Sequence, residues 1–171
     1  IDLSAGSDTL SLAAGTNTLS IAGVETVIGS GSDDALTLTS AVSGATISLG
    51  AGTDTLTLAA GGNSVTVTGA ETIIGGSGAD AVTLGSAGAV TVSNVETLTG
   101  SSGDDAVTLA ATVNGASIAL GTGTNTLVLA SGANTLAASG IATITGSSGS
   151  DALTLTNAQS GTTIALGGGT D

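Results

Sequence analysis

Aliphatic residues alternate with small polar residues in short blocks along the whole chain, as in Leu10-Ser-Leu12, Leu36-Thr-Leu38 and Val107-Thr-Leu109. Side chains two positions apart share one face of a β-strand, so the aliphatic residues would face inward and the Thr and Ser residues outward. The regular alternation argues against disorder, and a long helix is a poor alternative because Gly, Thr and Val form helices weakly. The pattern predicts an all-β protein of many short strands.

A second pattern separates these blocks: Gly, any residue, a carboxylate or amide, any residue, an aliphatic. It reads Gly6-Ser-Asp8-Thr-Leu10, then Gly15-Thr-Asn17-Thr-Leu19, and recurs to the end of the chain. Gly, Asn and Asp make turns because they tolerate positive φ. A unit this short cannot bury a core alone, so the copies must stack on one another. We therefore predict a parallel β-solenoid, either a β-helix or a β-roll, that spans residues 1–171 as one repetitive segment.

The spacing of the strands leaves two versions of this coil open. Most strands follow the previous one by eight or nine residues, whereas three longer steps carry inserts at residues 39–44, 110–115 and 156–161. Reading each block of two or three motifs as one turn gives roughly seven turns of a three-sided β-helix. Reading each nine-residue step as half a turn gives roughly nine turns of a flat two-sided β-roll. The alternating block lengths favour the three-sided form.

Composition excludes several classes of function. The chain has no Lys, Arg, His, Cys, Met, Pro or aromatic residue, and its net charge is −13. Most catalytic nucleophiles and bases are therefore absent, no zinc site of nitrogen and sulfur ligands can form, and nucleic acid would be repelled. Paired carboxylates could serve a glycosidase, but no pair stands out among the copies and no aromatic ring is present to stack on a sugar. We predict that the protein is not an enzyme and has no small-molecule substrate. With no apolar run of about 18 residues, we also predict no membrane-spanning helix.

The fullest copies of the motif lie at residues 50–56, 76–82 and 167–171, where the pattern is Gly-x-Gly-x-Asp. They resemble the nonapeptide of RTX (hemolysin-type) calcium-binding repeats. That resemblance implies a parallel β-roll with Ca²⁺ in the turns, between carboxylates and glycine carbonyls. Most copies are degenerate, with Asn, Glu or Ala at the ligand position. Bacterial surface-layer proteins and giant secreted adhesins are similar in being acidic, rich in Thr, Ala and Gly, and almost free of Lys.

The Asp residues of the motif are the candidate ligands, because hard carboxylate oxygens suit Ca²⁺. Two neighbouring carboxylates at Asp33-Asp34, and again at Asp104-Asp105, are costly unless a cation neutralises them. The alternative is that Asp and Asn only form the turns, by hydrogen bonding to their own backbone. The candidate metal ligands are Asp8, Asp34, Asp54, Asp80, Asp105, Asp151 and Asp171.

These observations favour a structural function: a rigid, acidic solenoid of a bacterial surface layer, filament or sheath, self-assembling and stabilised by calcium. The chain begins inside a strand pattern and stops inside a motif, so we expect it to be part of a longer protein. An extracellular location is expected, since the chain offers no cleavage site to trypsin-like or chymotrypsin-like proteases. One alternative is the spacer of an RTX-type adhesin, and another is the calcium-triggered secretion module of an enzyme. A third is an ice-binding solenoid, suggested by outward Thr pairs at 37/39, 55/57, 66/68, 97/99, 143/145 and 154/156.

Overall fold

The computed structural model describes residues 1–157 and 160–171, and over these ranges the chain coils into a solenoid of short strands. No helix long and apolar enough to cross a membrane is found in that part of the chain. The all-β parallel solenoid predicted from the sequence is confirmed. In chain order the strands are β1 (Thr9–Ser11), β2 (Asn17–Ile21), β3 (Thr26–Ser30), β4 (Asp34–Leu38), β5 (Ser43–Gly50), β6 (Thr55–Thr57), β7 (Ser64–Thr68), β8 (Thr72–Ile74), β9 (Ala81–Leu84), β10 (Gly88–Ser93), β11 (Thr97–Thr99), β12 (Asp105–Leu109), β13 (Asn114–Ala119), β14 (Thr126–Val128), β15 (Thr135–Ser139), β16 (Thr143–Ser147), β17 (Ala152–Leu155) and β18 (Thr163–Gly167).

The solenoid has two sides. Odd-numbered strands form one nine-stranded parallel sheet and even-numbered strands form the other, so the described residues make about nine turns. The preference for a three-sided helix was therefore wrong. Thr9 of β1 pairs with Thr26 of β3, whereas Asn17 between them begins a strand of the opposite sheet. A block of three motifs is thus one and a half turns, and its third motif returns to the side of the first.

One turn takes between 16 and 20 residues, most often 17, as in the pair Asn17–Asp34, or 20, as in Asp34–Asp54. The inserts at 39–44 and 110–115 lie at the corners before β5 and β13. There the strand register shifts once, between Ser43 and Ala45 in β5 and between Asn114 and Ala116 in β13. The extra residues are therefore taken up at a corner, and the core register continues undisturbed. The third insert includes residues 158 and 159, which lie outside the described ranges.

The core is the narrow space between the two sheets, filled by one or two aliphatic side chains from each strand. Ile21, Leu49, Leu56, Leu127 and Ile144 are completely buried there. This confirms the inward direction of the alternating aliphatic residues. Between strands the backbones of successive turns come close, and a Cβ on Gly69 would collide with the backbone of Gly50. Gly69 also has a φ of 69°, which explains why glycine stands before Glu71 at that corner.

Candidate functional site

A polar side chain stands two positions before the first core aliphatic of many strands, on the same inward face. Eight of these side chains are at most 2% exposed although they are polar or charged, whereas Asp8 and Asn17 are half-buried. Each backbone N–H at this position donates to the side-chain oxygen of the equivalent residue one turn on, and we call the resulting two columns the turn ladder. Its donor and acceptor pairs are Asp8–Glu25, Asn17–Asp34, Asp34–Asp54, Asp54–Glu71, Asn63–Asp80, Asp80–Glu96, Asp105–Asn125, Asn134–Asp151 and Asp151–Asp171.

In three steps of the turn ladder an Asn donates to an Asp, and these three steps share one geometry. In the Asn63 step, the amide Nδ2 donates to the carbonyls of Ala59 at 2.8 Å and Gly61 at 2.9 Å, and to Asp80 Oδ1 at 2.7 Å. The second oxygen of Asp80 accepts the backbone N–H of Gly76 at 2.8 Å. Both carboxylate oxygens therefore have donors, which is the turn-forming arrangement of Asp and Asn. The other two steps of this kind are Asn17–Asp34 and Asn134–Asp151.

These hydrogen bonds keep two of the buried carboxylates charged. Burial by itself would raise the pKa of Asp34, but hydrogen bonds from the Asn17 side chain and from backbone N–H groups outweigh it and lower the pKa below its usual value. The pKa of Asp151 is lowered in the same way, against burial, by the side chain and backbone of Asn134 and the backbone of Ser147. Donors arranged around a carboxylate favour its ionised form. The amide one turn earlier therefore supports a buried negative charge.

Asp54 lacks such an amide. It is completely buried, its neighbours in the turn ladder are Asp34 and Glu71, and its Oδ1 accepts the backbone N–H of Asp34 at 2.7 Å. Its Oδ2 is buried with no hydrogen-bond partner. Burial raises the pKa of Asp54, and the negative charges of Glu71, Asp34 and Asp33 raise it further, against the hydrogen bond from Asp34. Asp54 is thus a buried acid that the protein alone stabilises poorly.

Asp8 resembles Asp54 in two respects. It too donates its backbone N–H to a Glu one turn on, Glu25 Oε2 at 2.8 Å, and its own Oδ2 is buried without a partner. The corresponding distance from Asp54 to Glu71 Oε2 is 2.7 Å. The two sites therefore repeat one arrangement in different parts of the rod.

The neighbouring carboxylates at 33–34 and 104–105 point to opposite sides of the backbone. Asp34 and Asp105 are buried, whereas Asp33 and Asp104 are exposed. Asp33 Oδ1 accepts the backbone N–H of Thr53 at 2.8 Å, one turn on. Asp104 has the equivalent bond, and Asp105 accepts from the backbone and hydroxyl of Ser101. Each of these four carboxylates therefore accepts at least one backbone N–H.

The inserts complete the turn ladder where the following strand carries Ala in place of a polar residue. The backbone N–H of Val42 donates to Asn63 Oδ1 at 3.1 Å, and that of Val113 donates to Asn134 Oδ1 at 3.2 Å. A buried or half-buried Val is thereby held against the core at each corner. The inserts are therefore part of the same hydrogen-bonding system.

Sequence reasoning treated the Glu residues only as departures from the motif, and did not foresee their role. Glu25, Glu71 and Glu96 each accept the backbone N–H of an Asp on the preceding turn. The sequence did carry a signal for this role, because each Asp and its Glu are separated by 16 or 17 residues. It could be recognised only once the length of one turn was known.

A calcium ion, as the RTX resemblance implies, can be tested against this geometry. No three acidic side chains of the described residues converge on one point that could hold a metal ion. At Asp34, Asp80, Asp105 and Asp151 both carboxylate oxygens already accept hydrogen bonds, and Asp171 Oδ1 accepts the N–H of Asp151. Asp8 and Asp54 differ, because each has a buried oxygen without a donor and a Glu one turn on. Oxygen ligands of this kind suit Ca²⁺, so the ion fits best at these two.

A comparison of the chain with protein-family models, curated proteins and solved structures finds no match. The function is therefore argued from the fold and the residues described above.

Proposed function

We propose that the chain is a structural protein, a rigid acidic rod that self-assembles into a bacterial surface layer, filament or sheath outside the cell. The observation that carries this proposal is the turn ladder, which repeats one hydrogen-bonding scheme from Asp8 to Asp171. Each turn is joined to the next by strand pairing, stacked aliphatic residues and these side-chain bonds. Such contacts between nearest neighbours make a solenoid stiff along its axis.

The position of the charges supports assembly side by side. All thirteen carboxylates lie in turns or at strand ends, so the rod has acidic edges and nearly uncharged faces. Exposed carboxylates such as Asp33 and Asp104 would repel the edge of an adjacent rod. Divalent cations that bridge two edges would remove this repulsion, so assembly should depend on calcium.

Within one rod, we place calcium at Asp54 with Glu71 and at Asp8 with Glu25, completed by backbone carbonyls. A bound Ca²⁺ supplies positive charge beside a carboxylate oxygen that lacks a donor. The test is a thermal melt followed by circular dichroism, with Ca²⁺ and with a chelator. Calcium should raise the melting temperature of the wild type and raise that of Asp54→Asn less. Asp80→Asn is the matched control, and it should keep the full calcium response because both oxygens of Asp80 already have donors. An equal response in wild type and Asp54→Asn would contradict the Asp54 site.

Electron microscopy tests the assembly itself. Purified protein is imaged once in millimolar Ca²⁺ and once after chelation. Ordered filaments or sheets in calcium that dissolve on chelation are the expected result. Single short rods in both conditions would refute self-assembly and leave the passive spacer of an adhesin as the better explanation.

A further inference from the structure

The two faces of the rod differ in how their outward side chains are arranged. On the odd-numbered sheet, six threonines from β1, β3, β5, β7, β9 and β11 pair directly with one another across successive strands. We call them the threonine column: Thr9, Thr26, Thr46, Thr66, Thr83 and Thr99. The sequence draws attention to Thr pairs within a strand, but the continuous row runs across the strands.

The threonine column is a regular array of unused hydroxyl groups. All six side chains are exposed or half-buried, and none of their hydroxyls bonds to another described residue of the protein. Adjacent strands lie about 4.7–4.9 Å apart, so a hydroxyl and a methyl group recur at that interval along the rod. Because Thr is β-branched, its χ1 angle is restricted, which favours similar orientations in neighbouring copies. The column therefore presents polar and apolar groups with a nearly constant repeat.

The surroundings of the column are uncharged. The strands of the odd-numbered sheet contain no acidic residue, and the carboxylates lie at the corners. Beside the column stand small side chains, including Ser48 and Thr68 on one side and Ala81 on the other. Ile28, 49% exposed, is the exception. A charged group would impose its own hydration shell, whereas this surface leaves its water to be ordered by the hydroxyl array.

From this geometry we infer that the odd-numbered face binds the surface of an ice crystal. The repeat of the threonine column is close to the repeat of water oxygens along a lattice axis of hexagonal ice. A row of hydroxyls at that interval can hold first-layer waters at lattice positions, while the methyl groups exclude disordered water between them. The rod is also stiff, which preserves the match over several turns. This activity goes beyond the proposed structural function and does not depend on assembly or on calcium.

The opposite face supplies a matched comparison. Its corresponding outward column runs Thr18, Ala35, Thr55, Thr72, Thr91, Thr108 and Val128, so it is interrupted by Ala35 and Val128. The longest unbroken run there is four threonines, against six on the odd-numbered face. The two faces thus share chemistry but differ in the length of the ordered array.

The test measures thermal hysteresis and inhibition of ice recrystallisation on the purified protein. Thr66→Tyr places a bulky ring in the middle of the column, and Thr83→Tyr does the same one turn on. Thr108→Tyr places the same ring on the opposite face, and circular dichroism checks that all three variants fold; Tyr is well tolerated at exposed strand positions. We expect a hysteresis gap in the wild type that persists in Thr108→Tyr and is lost in both variants of the column.

A wild type without hysteresis, whose ice recrystallises as in buffer, would overturn the inference. Loss of activity in Thr108→Tyr with retention in Thr66→Tyr would also overturn it, because the even-numbered face would then be the active one. Equal loss in all folded variants would point to an effect that no single face carries, and would overturn it as well. These outcomes are independent of the electron microscopy, since a rod can assemble without binding ice.

Discussion

Replacing Asp54 by Asn should stabilise the protein at neutral pH in the absence of calcium. The wild-type side chain is completely buried, carries an oxygen without a donor and lies next to two further acids of the turn ladder. An amide at this position would remove the buried charge. It could also donate to the carbonyls of residues 50 and 52, as Asn63 donates to Ala59 and Gly61. The bond from Asp34 N–H to Oδ1 would be kept.

The size of the effect follows from the hydrogen bonds gained and the desolvation relieved. A buried polar atom without a partner costs about 1–3 kcal/mol, and each new hydrogen bond contributes about 1 kcal/mol. We therefore expect Asp54→Asn to raise the free energy of unfolding by about 1–3 kcal/mol. In a chain of this length, each kcal/mol corresponds to about 2–4 °C in melting temperature.

The same substitution one turn earlier should have the opposite sign. Asp34 accepts hydrogen bonds from the Asn17 amide and the backbone N–H of Ser30, so an Asn there would turn its NH2 donor toward one of these existing donors. Asp34→Asn should lower the free energy of unfolding by about 1–3 kcal/mol. Urea unfolding followed by circular dichroism, in chelator at pH 7, measures both variants; no aromatic residue is present to report by fluorescence. If Asp54→Asn is as destabilising as Asp34→Asn, our account of the buried oxygen is wrong.

Four further predictions concern the pH dependence of stability, the core and a close approach of the backbone at a glycine. Because the pKa of Asp54 is raised in the fold, its contribution to stability is present below the unfolded value near 3.8 and is lost as pH rises through the folded value. The advantage of Asp54→Asn over wild type in urea unfolding should therefore be smallest at low pH and grow with pH. Asp34 and Asp151 have lowered pKa values, so the stability that they contribute is present above pH 3.8 and is lost as the pH falls through their folded pKa values. Asp151→Asn should therefore lower the free energy of unfolding at pH 7 and lower it much less in acid. Leu56→Ala, which empties a completely buried position, should cost about 2–5 kcal/mol in the same assay. Gly29→Ala should lower the melting temperature, because a Cβ there would collide with the adjacent backbone, whereas Gly31→Ala meets open space and should change little.

Local features of the chain were sufficient to predict the strands and their direction. Alternation of aliphatic and polar residues identified the inward positions, and Gly with Asp or Asn identified the corners. The number of sides could not be predicted, because a block of 26 residues suits one turn of a three-sided solenoid as well as one and a half turns of a two-sided one. The pairing of Thr9 with Thr26 decides between them, and it is a property of the folded chain.

The candidate site was predicted less completely than the fold, for a related reason. Asp34, Asp54 and Asp80 occupy equivalent places in the motif, yet their surroundings differ. What distinguishes them is the residue one turn away: Asn17 before Asp34, Asn63 before Asp80, and another acid before Asp54. Those neighbours are known only once the 17-residue and 20-residue turns are assigned. The sequence alone therefore could not distinguish a carboxylate whose two oxygens both have donors from one with an oxygen that lacks a donor.

The turn ladder also gives the rod a direction. In every bond from Asp8–Glu25 to Asp151–Asp171, the backbone donor lies on the earlier turn and the side-chain acceptor on the later one. The two ends of the rod therefore differ chemically, as do the two ends of the parallel strands of which it is made. Any array of such rods must have a polarity of its own, either shared by all rods or cancelled by alternation. Growth of a head-to-tail filament would then proceed at unequal rates from its two ends.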